Sequence, residues 1–208
     1  MPNLKIKKMM PARFDRQDVE LTKRDRKYDG FFKVDAYKLK HELFAGHTSD
    51  EFVRELFERG EAAAVLLYDP IRNKVVLVEQ FRIGALEDEV SPWLLELVAG
   101  IVEEGESPEE VASREAQEEA GCEVSDLEHI TSYWVSPGGT SEKIHLYCAH
   151  IDSEGLGGIH GLADENEDIL VHVVSCEEAF EAVACGRINN AATIIALQWL
   201  QLKQKANG

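Results

Sequence analysis

The sequence predicts an α/β fold in which a mixed sheet lies between helices, with a small antiparallel β domain ahead of it. Three observations lead to this prediction. Apolar runs typical of buried strands stand before and after one acidic helix, two helical segments close the chain, and the first 60 residues hold only short alternating runs. Strands grouped in this way favour a mixed sheet over a regular alternation of strand and helix.

The first 60 residues alternate polar and apolar side chains, most clearly in FFKVDAYKL at positions 31–39. Such alternation predicts strands, and Gly30 and Gly46 stand where turns are expected. A segment of this size buries too little surface to be stable by itself. We therefore predict a β domain at residues 1–60, which packs on the main domain at residues 61–208 or on another subunit.

The strands of the main domain are predicted from apolar runs that turn residues separate. They cover residues 62–69, 74–81, 93–100, 128–136, 143–151 and 169–175. Two helices are predicted after the last strand, one at 176–186 with Ser175 as its N-cap and one at 189–205.

An acidic helix follows the third of these strands, and both of its ends obey capping rules. Ser107 is the expected N-cap, Pro108 occupies the first helical position, and Glu110 completes a capping box. Gly121 is the kind of residue that commonly stands just beyond a helix end. The predicted helix therefore runs from Pro108 to the residue before Gly121.

Three carboxylates crowd the last turns of this helix. Glu115, Glu118 and Glu119 stand at i, i+3 and i+4, so they project from one side. Each like-charged pair costs about 0.2–0.5 kcal/mol, and the helix dipole disfavours anions at this end by about 0.3–1 kcal/mol. The cluster is either a solvated acidic face or a site where a hard divalent cation removes the repulsion, and spacing alone does not decide.

Composition narrows the classes of partner. The 208 residues include 39 acidic and 22 basic side chains, and the net charge of −17 argues against nucleic acid, which requires a basic surface. No run approaches the ~18 apolar residues of a membrane span, and the basic N-terminus lacks an apolar signal region. The four widely spaced cysteines are expected to be free, buried thiols. We therefore expect a cytoplasmic protein that binds no membrane.

The acidic helix belongs to a longer pattern, G-x5-E-x7-R-E-U-x-E-E-x-G-U over residues 100–122, where U is a bulky aliphatic residue. This pattern resembles the Nudix box, and the resemblance implies a Nudix fold. Two U positions hold the small residues Ala116 and Cys122, which weakens packing expectations and leaves the chemistry intact. The seven fixed positions are Gly100, Glu106, Arg114, Glu115, Glu118, Glu119 and Gly121.

The resemblance implies a metal site and a set of catalytic residues. Arg114, which is expected to orient the carboxylates, and Glu118 belong to the catalytic set. Glu165, in the GLADENEDI segment at 161–169, is expected to be the general base. Two or three Mg²⁺ ions are implied, with Mn²⁺ as an alternative. Their expected ligands are the Ala99 carbonyl, Glu115, Glu118, Glu119 and Glu167.

Segments outside the box are similar to the bacterial, dimeric ADP-ribose pyrophosphatase branch of the family. They include SPGGTSE with its proline, RELFERG, EQFRI and PWLLELVAG. Members of that branch exchange N-terminal strands, so the resemblance implies a homodimer in which the partner subunit supplies Phe31, Phe32, Arg54 and Glu55 to adenine. The remaining substrate residues are Arg59 and Arg82 for phosphate, and Ile101, Ser136, Pro137, Gly138 and Glu142 for the ribose side.

The activity implied by this resemblance is Mg²⁺-dependent hydrolysis of the small molecule ADP-ribose to AMP and ribose 5-phosphate. Two alternatives stay open. The first alternative is a pyrophosphatase for other nucleotide sugars such as GDP-mannose, because the pockets of such enzymes differ by few residues. The second is a non-catalytic ADP-ribose sensor. A pure binder has no need of the destabilising carboxylate cluster, which speaks against the sensor.

Overall fold

The computed structural model describes residues 10–161 and 167–207, and the chain divides into two compact units. Residues up to Arg59, together with Ser136–Ser141, form the first unit. Gly60–Val135 and Glu142–Gly208 form the second. The acidic helix lies in the second unit.

The first unit is built on an antiparallel sheet of three strands in the order β1-β2-β3. Its strands are β1 (Val19–Asp29), β2 (Lys33–His41) and β3 (Phe52–Glu58). Among the described residues of this unit only Asp35 and Ala36 are buried. The sheet has almost no core of its own, as its small size predicts.

The second unit contains a mixed sheet in the order β10-β11-β5-β4-β9-β8. Pairing is parallel between β4 and β9 and antiparallel elsewhere. The strands are β4 (Glu61–Asp69), β5 (Lys74–Phe81), β6 (Trp93–Glu96), β7 (Val98–Ile101), β8 (Leu127–Trp134), β9 (Lys143–His150), β10 (Gly158–His160) and β11 (Ile169–Ser175). The prediction of a mixed sheet is confirmed, and the short β10 has no counterpart in the predicted strands.

Helices cover both faces of this sheet, as the sequence predicts. They are α1 (Pro108–Ala120), α2 (Cys176–Ala184) and α3 (Ala191–Asn207). Along β4, Val65 and Leu67 point into the core under α1, whereas Leu66 points into the core that α2 and α3 share. Because strand side chains alternate between faces, one buried apolar strand serves two cores.

The predicted strand at 93–100 is two strands, β6 and β7, which are separated at Leu97. The first part pairs with β5 and the second with β4, so the chain changes neighbour within one apolar run. The Leu97 N–H, which leaves the ladder at this point, donates to Thr193 Oγ1 at 3.1 Å. This change of neighbour pairs Ala99 and Gly100 with β4. The Ala99 side chain packs on the core that α2 and α3 share, whereas Gly100 lies against Glu115 of α1.

Asp69 ends β4 and is fully buried. Its carboxylate accepts hydrogen bonds from the N–H groups of Ile71 and Arg72 at 2.9 and 3.0 Å, and from the Arg72 guanidinium at 3.1 Å. The Ser153 hydroxyl and N–H donate to it at 2.7 and 3.0 Å. These donors, the Ser153 hydroxyl foremost, hold the pKa of Asp69 well below its usual range.

The sequence predicts that the four cysteines are free, buried thiols and that no segment spans a membrane. All four cysteines are free, and Cys122, Cys148 and Cys176 are buried as expected, whereas Cys185 is exposed. Within residues 10–161 and 167–207, no helix combines the length and the apolar character that crossing a membrane requires.

Candidate active site

Helix α1 presents the carboxylate cluster from a frame that its local sequence builds. Ser107 and Glu110 form the predicted capping box, in which the Ser107 N–H donates to the Glu110 carboxylate at 2.7 Å and the Glu110 N–H donates to Ser107 Oγ at 3.3 Å. Gly121 stops the helix with a φ of 62°. Both ends lie where the sequence predicts, so the three glutamates occupy the last turns of α1.

Arg114 is the counter-charge at the centre of the cluster. Its Nη1 donates to Glu115 Oε1 at 2.8 Å and to Glu118 Oε2 at 3.0 Å. Its Nε donates to Glu106 Oε1 at 3.3 Å, across a distance of eight residues in the chain. One guanidinium therefore links three of the carboxylates that the sequence pattern singles out, which limits the repulsion between them.

Glu119 differs from its neighbours because it points into the sheet. It is 4% exposed, and its Oε2 accepts a hydrogen bond from the Ala99 N–H at 3.1 Å. Burial raises the pKa of Glu119 to about 8, and the negative charges of Glu115 and Glu167 act in the same direction. Burial also raises the pKa of Glu115, against the lowering effect of Arg114. These carboxylates are therefore costly to ionise without a cation.

Gly100 allows Glu115 to lie against β7. A Cβ atom at position 100 would overlap the Glu115 carboxylate. The absence of a side chain at this position brings that carboxylate close to the strand that also carries Ala99. The glycine of the sequence pattern thus acts through close approach rather than through a turn.

The donor set suits a hard divalent cation. Carboxylate and carbonyl oxygens are the ligands that Mg²⁺ and Mn²⁺ prefer, and Glu119 is a buried carboxylate for which a cation would offset the desolvation. In the described parts of the chain, no three acidic, histidine or cysteine side chains already converge around a common point. Oxygens of Glu115 and Glu118 are instead engaged by Arg114, so a cation would exchange with the guanidinium.

The segment before β11 carries two further predicted residues. Glu165, the expected general base, lies outside the described residues. Glu167 lies two residues before β11, and its charge acts on Glu115 and Glu119. The structure therefore places the Glu167 charge within electrostatic reach of Glu115 and Glu119. Its role as a cation ligand stays a prediction of the sequence resemblance.

Three predicted substrate residues lie in the second unit. Arg82 follows β5, its Nε donates to Glu96 Oε2 at 2.7 Å, and its positive charge acts on Glu119. Ile101 ends β7, next to Gly100, and is 46% exposed. Glu142 precedes β9, and its carbonyl accepts a hydrogen bond from the Val135 N–H at 3.0 Å. Arg82 and Ile101 thus adjoin the carboxylate cluster.

Three aromatic residues of the first unit form an edge-to-face group with Arg59. Phe31 contacts Phe32 with ring centroids 4.8 Å apart, and Phe32 contacts Phe57 at 5.1 Å. The Arg59 guanidinium lies 4.5 Å from the centroid of the Phe32 ring. Phe31 is 85% exposed, so the aromatic group ends in a ring that is open to solvent.

The remaining predicted residues of this unit divide between the aromatic group and other positions. Ser136, Pro137 and Gly138 are exposed in a segment that β3 holds, because the Phe57 N–H donates to the Gly139 carbonyl at 2.9 Å. Glu55 has the same strand parity as Phe57 and Arg59. Arg54 has the opposite parity, and its guanidinium lies 4.6 Å from the Phe52 ring. The structure does not group Arg54 with Phe31 and Phe32 within one chain.

Phe57 is the residue of this group that the sequence analysis missed. It stands in β3 between Glu55 and Arg59, which is the first residue after the strand, and residues two apart in extended chain share a face. Once those two residues were assigned to the substrate, the alternation alone would have indicated Phe57 as their neighbour.

Comparison with known proteins agrees with this geometry. A family model described as the NUDIX domain matches residues 58–197. The chain is 53% identical to the ADP-ribose pyrophosphatase of Escherichia coli over 95% of this chain and 94% of that protein. Identity to the ADP-ribose pyrophosphatase of Haemophilus influenzae is 52%, over 91% and 88% of the two chains. It falls to 38% for the GDP-mannose pyrophosphatase of Cronobacter sakazakii, over 72% and 78%.

A solved structure shows the same fold. The crystal structure of an ADP compounds hydrolase superposes with a TM-score of 0.70 at 20% identity, covering 94% of this chain and 98% of that one. The Nudix resemblance and the fold that it implies are therefore confirmed. With its carboxylates gathered around Arg114 on a capped helix and its sequence matched over most of its length, the chain belongs to the NUDIX domain family.

Proposed function

We propose that this chain hydrolyses the diphosphate of ADP-ribose to AMP and ribose 5-phosphate in a reaction that depends on Mg²⁺. The observation that carries the proposal is the carboxylate cluster of α1, in which Glu119 is buried with a raised pKa. Such an arrangement destabilises the chain unless a cation binds, so a role in cation-dependent chemistry is its best explanation. A sensor that only bound ADP-ribose would gain nothing from it.

The degree of similarity to the relatives supports the choice of substrate. Identity to two bacterial ADP-ribose pyrophosphatases exceeds 50% over almost the whole chain, whereas identity to a GDP-mannose pyrophosphatase is 38% over a shorter part. Both kinds of relative support the predicted enzyme class, a nucleoside diphosphate-sugar pyrophosphatase. GDP-mannose is therefore the second candidate substrate.

The cation site is proposed to hold Mg²⁺, in two or three positions, with Mn²⁺ as a substitute. When bound, the cations would neutralise the diphosphate and acidify a water molecule. Arg114 donates hydrogen bonds to Glu115 and Glu118, so its positive charge would offset their negative charges in the absence of cations. Arg82 would donate to phosphate oxygens as a forked donor. The proposed ligands are Glu115, Glu118, Glu119, Glu167 and the Ala99 carbonyl.

The proton of the attacking water is assigned to Glu165. Carboxylates committed to a cation have their lone pairs engaged and make poor bases, so a separate carboxylate is required. Glu165 lies two residues before Glu167 in the sequence. This role remains a proposal that the sequence resemblance supports.

The first unit is proposed to serve a second copy of the chain. Its described residues bury only Asp35 and Ala36, and Phe31 presents an open aromatic face. Aromatic rings that face solvent in this way stack well on a purine. We therefore propose a homodimer in which residues 1–60 form the dimerisation domain, and in which Phe31, Phe32 and Glu55 bind the adenine held by the partner subunit. Arg54, on the opposite face of β3, is proposed for the same adenine on the sequence resemblance alone.

The decisive experiment measures products. Purified protein with Mg²⁺ is expected to release AMP and ribose 5-phosphate from ADP-ribose, with a kcat/KM that exceeds the value for GDP-mannose. Chelation of the cation should stop the reaction. A higher kcat/KM for GDP-mannose would favour the second candidate, and binding of ADP-ribose without release of AMP would leave only the sensor.

A further inference from the structure

Gly161 follows β10 directly and packs against Glu167 with no side chain between them. A Cβ atom at position 161 would lie 2.9 Å from the Glu167 Cβ atom, 2.9 Å from the Glu167 carbonyl oxygen and 3.1 Å from the carbonyl carbon. Non-bonded carbon atoms prefer separations of about 3.5–4.0 Å. Two of the three atoms belong to the backbone, so relief of the overlap would require the Glu167 main chain to move.

The backbone conformation of Gly161 adds a second constraint. Its φ is +99°, a region that residues with a Cβ atom rarely adopt. A side chain at this position would therefore be opposed twice, once by its own backbone and once by Glu167.

Glu167 is the residue whose position this contact sets. Its negative charge acts on Glu115 and on Glu119, which belong to α1. Glu167 approaches from a different element, the segment before β11, so the helix does not determine where it lies. Gly161 lies against both the Cβ atom and the backbone of Glu167.

We propose that Gly161 is a positioning residue, which holds the Glu167 main chain where its carboxylate joins Glu115 and Glu119 around the cations. The proposal rests on the proposed function, because it takes Glu167 to be a cation ligand. Gly161 touches neither cation nor substrate in this scheme. It acts by having no side chain.

The test compares Gly161→Ala with a matched glycine control. Gly155 also has a positive φ, +81°, but a Cβ atom there would meet nothing within 4 Å. Gly155→Ala therefore introduces backbone strain without the overlap. Mg²⁺ affinity is measured by calorimetry without substrate. We expect Gly161→Ala to weaken Mg²⁺ binding at least ~10-fold, the scale of losing support for a metal ligand, and Gly155→Ala to change it less than about 2-fold. Equal effects, or no effect, would overturn the proposal.

A double-mutant cycle with Glu167→Gln distinguishes positioning from general damage. If Gly161 acts through Glu167, Gly161→Ala should weaken Mg²⁺ binding in the natural chain and change it little once Glu167 is already Gln. Equal, additive losses in the two backgrounds would contradict the proposal. Excess Mg²⁺ should also restore kcat in Gly161→Ala, which a misfolded protein would not show.

Folding is controlled separately. Melting curves set a temperature at which every variant is folded, and Gly161→Asn replaces Gly161→Ala if the latter does not fold, because Asn tolerates positive φ better. The proposed function and this proposal fail differently. Absence of AMP release by the natural chain would sink the first, whereas the second depends on Mg²⁺ affinities that need no substrate.

Discussion

Asp69 and Glu119 are both carboxylates of the second unit that are almost completely buried, at 0% and 4% exposure, yet the protein surrounds them differently. Asp69 accepts five hydrogen bonds from Ile71, Arg72 and Ser153. Within residues 10–161 and 167–207, Glu119 accepts one hydrogen bond, from the Ala99 N–H. The pKa of Asp69 is lowered as a result, whereas that of Glu119 is raised to about 8.

Under the proposed function, the difference separates a structural charge, Asp69, from a functional one, Glu119. Asp69 is stabilised as an anion by donors of its own chain, and it ties the turn after β4 to the segment that follows β9. Glu119 is held where water is excluded and few donors reach it, so its anion depends on something outside the chain. Two buried carboxylates therefore differ in charge state, and the number of hydrogen-bond donors around each one accounts for the difference.

The largest expected effect is on Glu119. Glu119→Gln should lower kcat/KM for ADP-ribose by more than about 100-fold at ordinary Mg²⁺ concentrations, because a proposed cation ligand is lost. The melting temperature without metal should stay the same or rise, because a buried carboxylate is removed. Kinetics and melting curves on one preparation check both. An active variant, or one that is inactive only because it has unfolded, would contradict the assignment of Glu119 as a cation ligand.

The next largest effect is expected at Glu165. It tests whether the carboxylates of α1 hold cations while a separate carboxylate accepts the proton of the attacking water. Glu165→Gln should lower kcat by about 100-fold, the usual scale for a general base, with Mg²⁺ affinity little changed. Stopped assays and calorimetry measure the two quantities. If kcat survives, the base must be sought among Glu118, Glu167 and the neighbouring carboxylates, and the division of labour proposed for them would be wrong.

Asp69→Asn should show the opposite pattern to Glu119→Gln. The amide cannot accept all five hydrogen bonds and brings donors of its own, so buried N–H and O–H groups lose partners. We expect a fall in melting temperature of ~5 °C or more, the size of a buried polar defect in a chain of this length. Activity measured well below the melting temperature should remain close to that of the natural chain. A loss of activity in the folded variant would show that Asp69 is not purely structural.

The last expected effect concerns pH. Glu119 has an ordinary pKa of 4.5 when unfolded and about 8 when folded, so between these values the folded chain binds more protons. The free energy of unfolding of the metal-free protein should therefore fall as pH rises from about 5 to 8. Asp69 acts with the opposite sign, because its folded pKa lies below 3.8 and its contribution is lost only as pH falls. Melting curves across pH should lose the first dependence in Glu119→Gln, and Mg²⁺ should stabilise the natural chain more at pH 8 than at pH 5.

Local rules account for what the sequence predicts well. The ends of α1 follow from Ser107, Pro108 and Gly121, because capping involves residues within one turn. The carboxylate cluster was also visible from spacing alone. The family pattern then supplied a reason for a cluster that helix propensity disfavours.

Long-range partners account for what the sequence could not show. The break at Leu97 depends on Thr193, and the state of Asp69 depends on Ser153, both more than 80 positions away. Of the three glutamates of α1, only Glu119 is buried. This depends on how α1 packs on the sheet, which the spacing of the residues in the sequence does not reveal. Arg54 could not be separated from Glu55 by the resemblance, although strand parity places them on opposite faces of β3.

Arg114 has a consequence for how the protein is made and kept in the cell. Many small metal domains stay unfolded until their ion binds, because the free energy of metal binding is the free energy that folds them. Here the counter-charge is synthesised within the same helix, four residues from Glu118, and it bonds Glu115 and Glu118 without any ion. We therefore expect a newly translated chain to fold before it binds a metal ion. Shortage of the cation would then leave the protein folded but inactive, without making it a substrate for proteolysis.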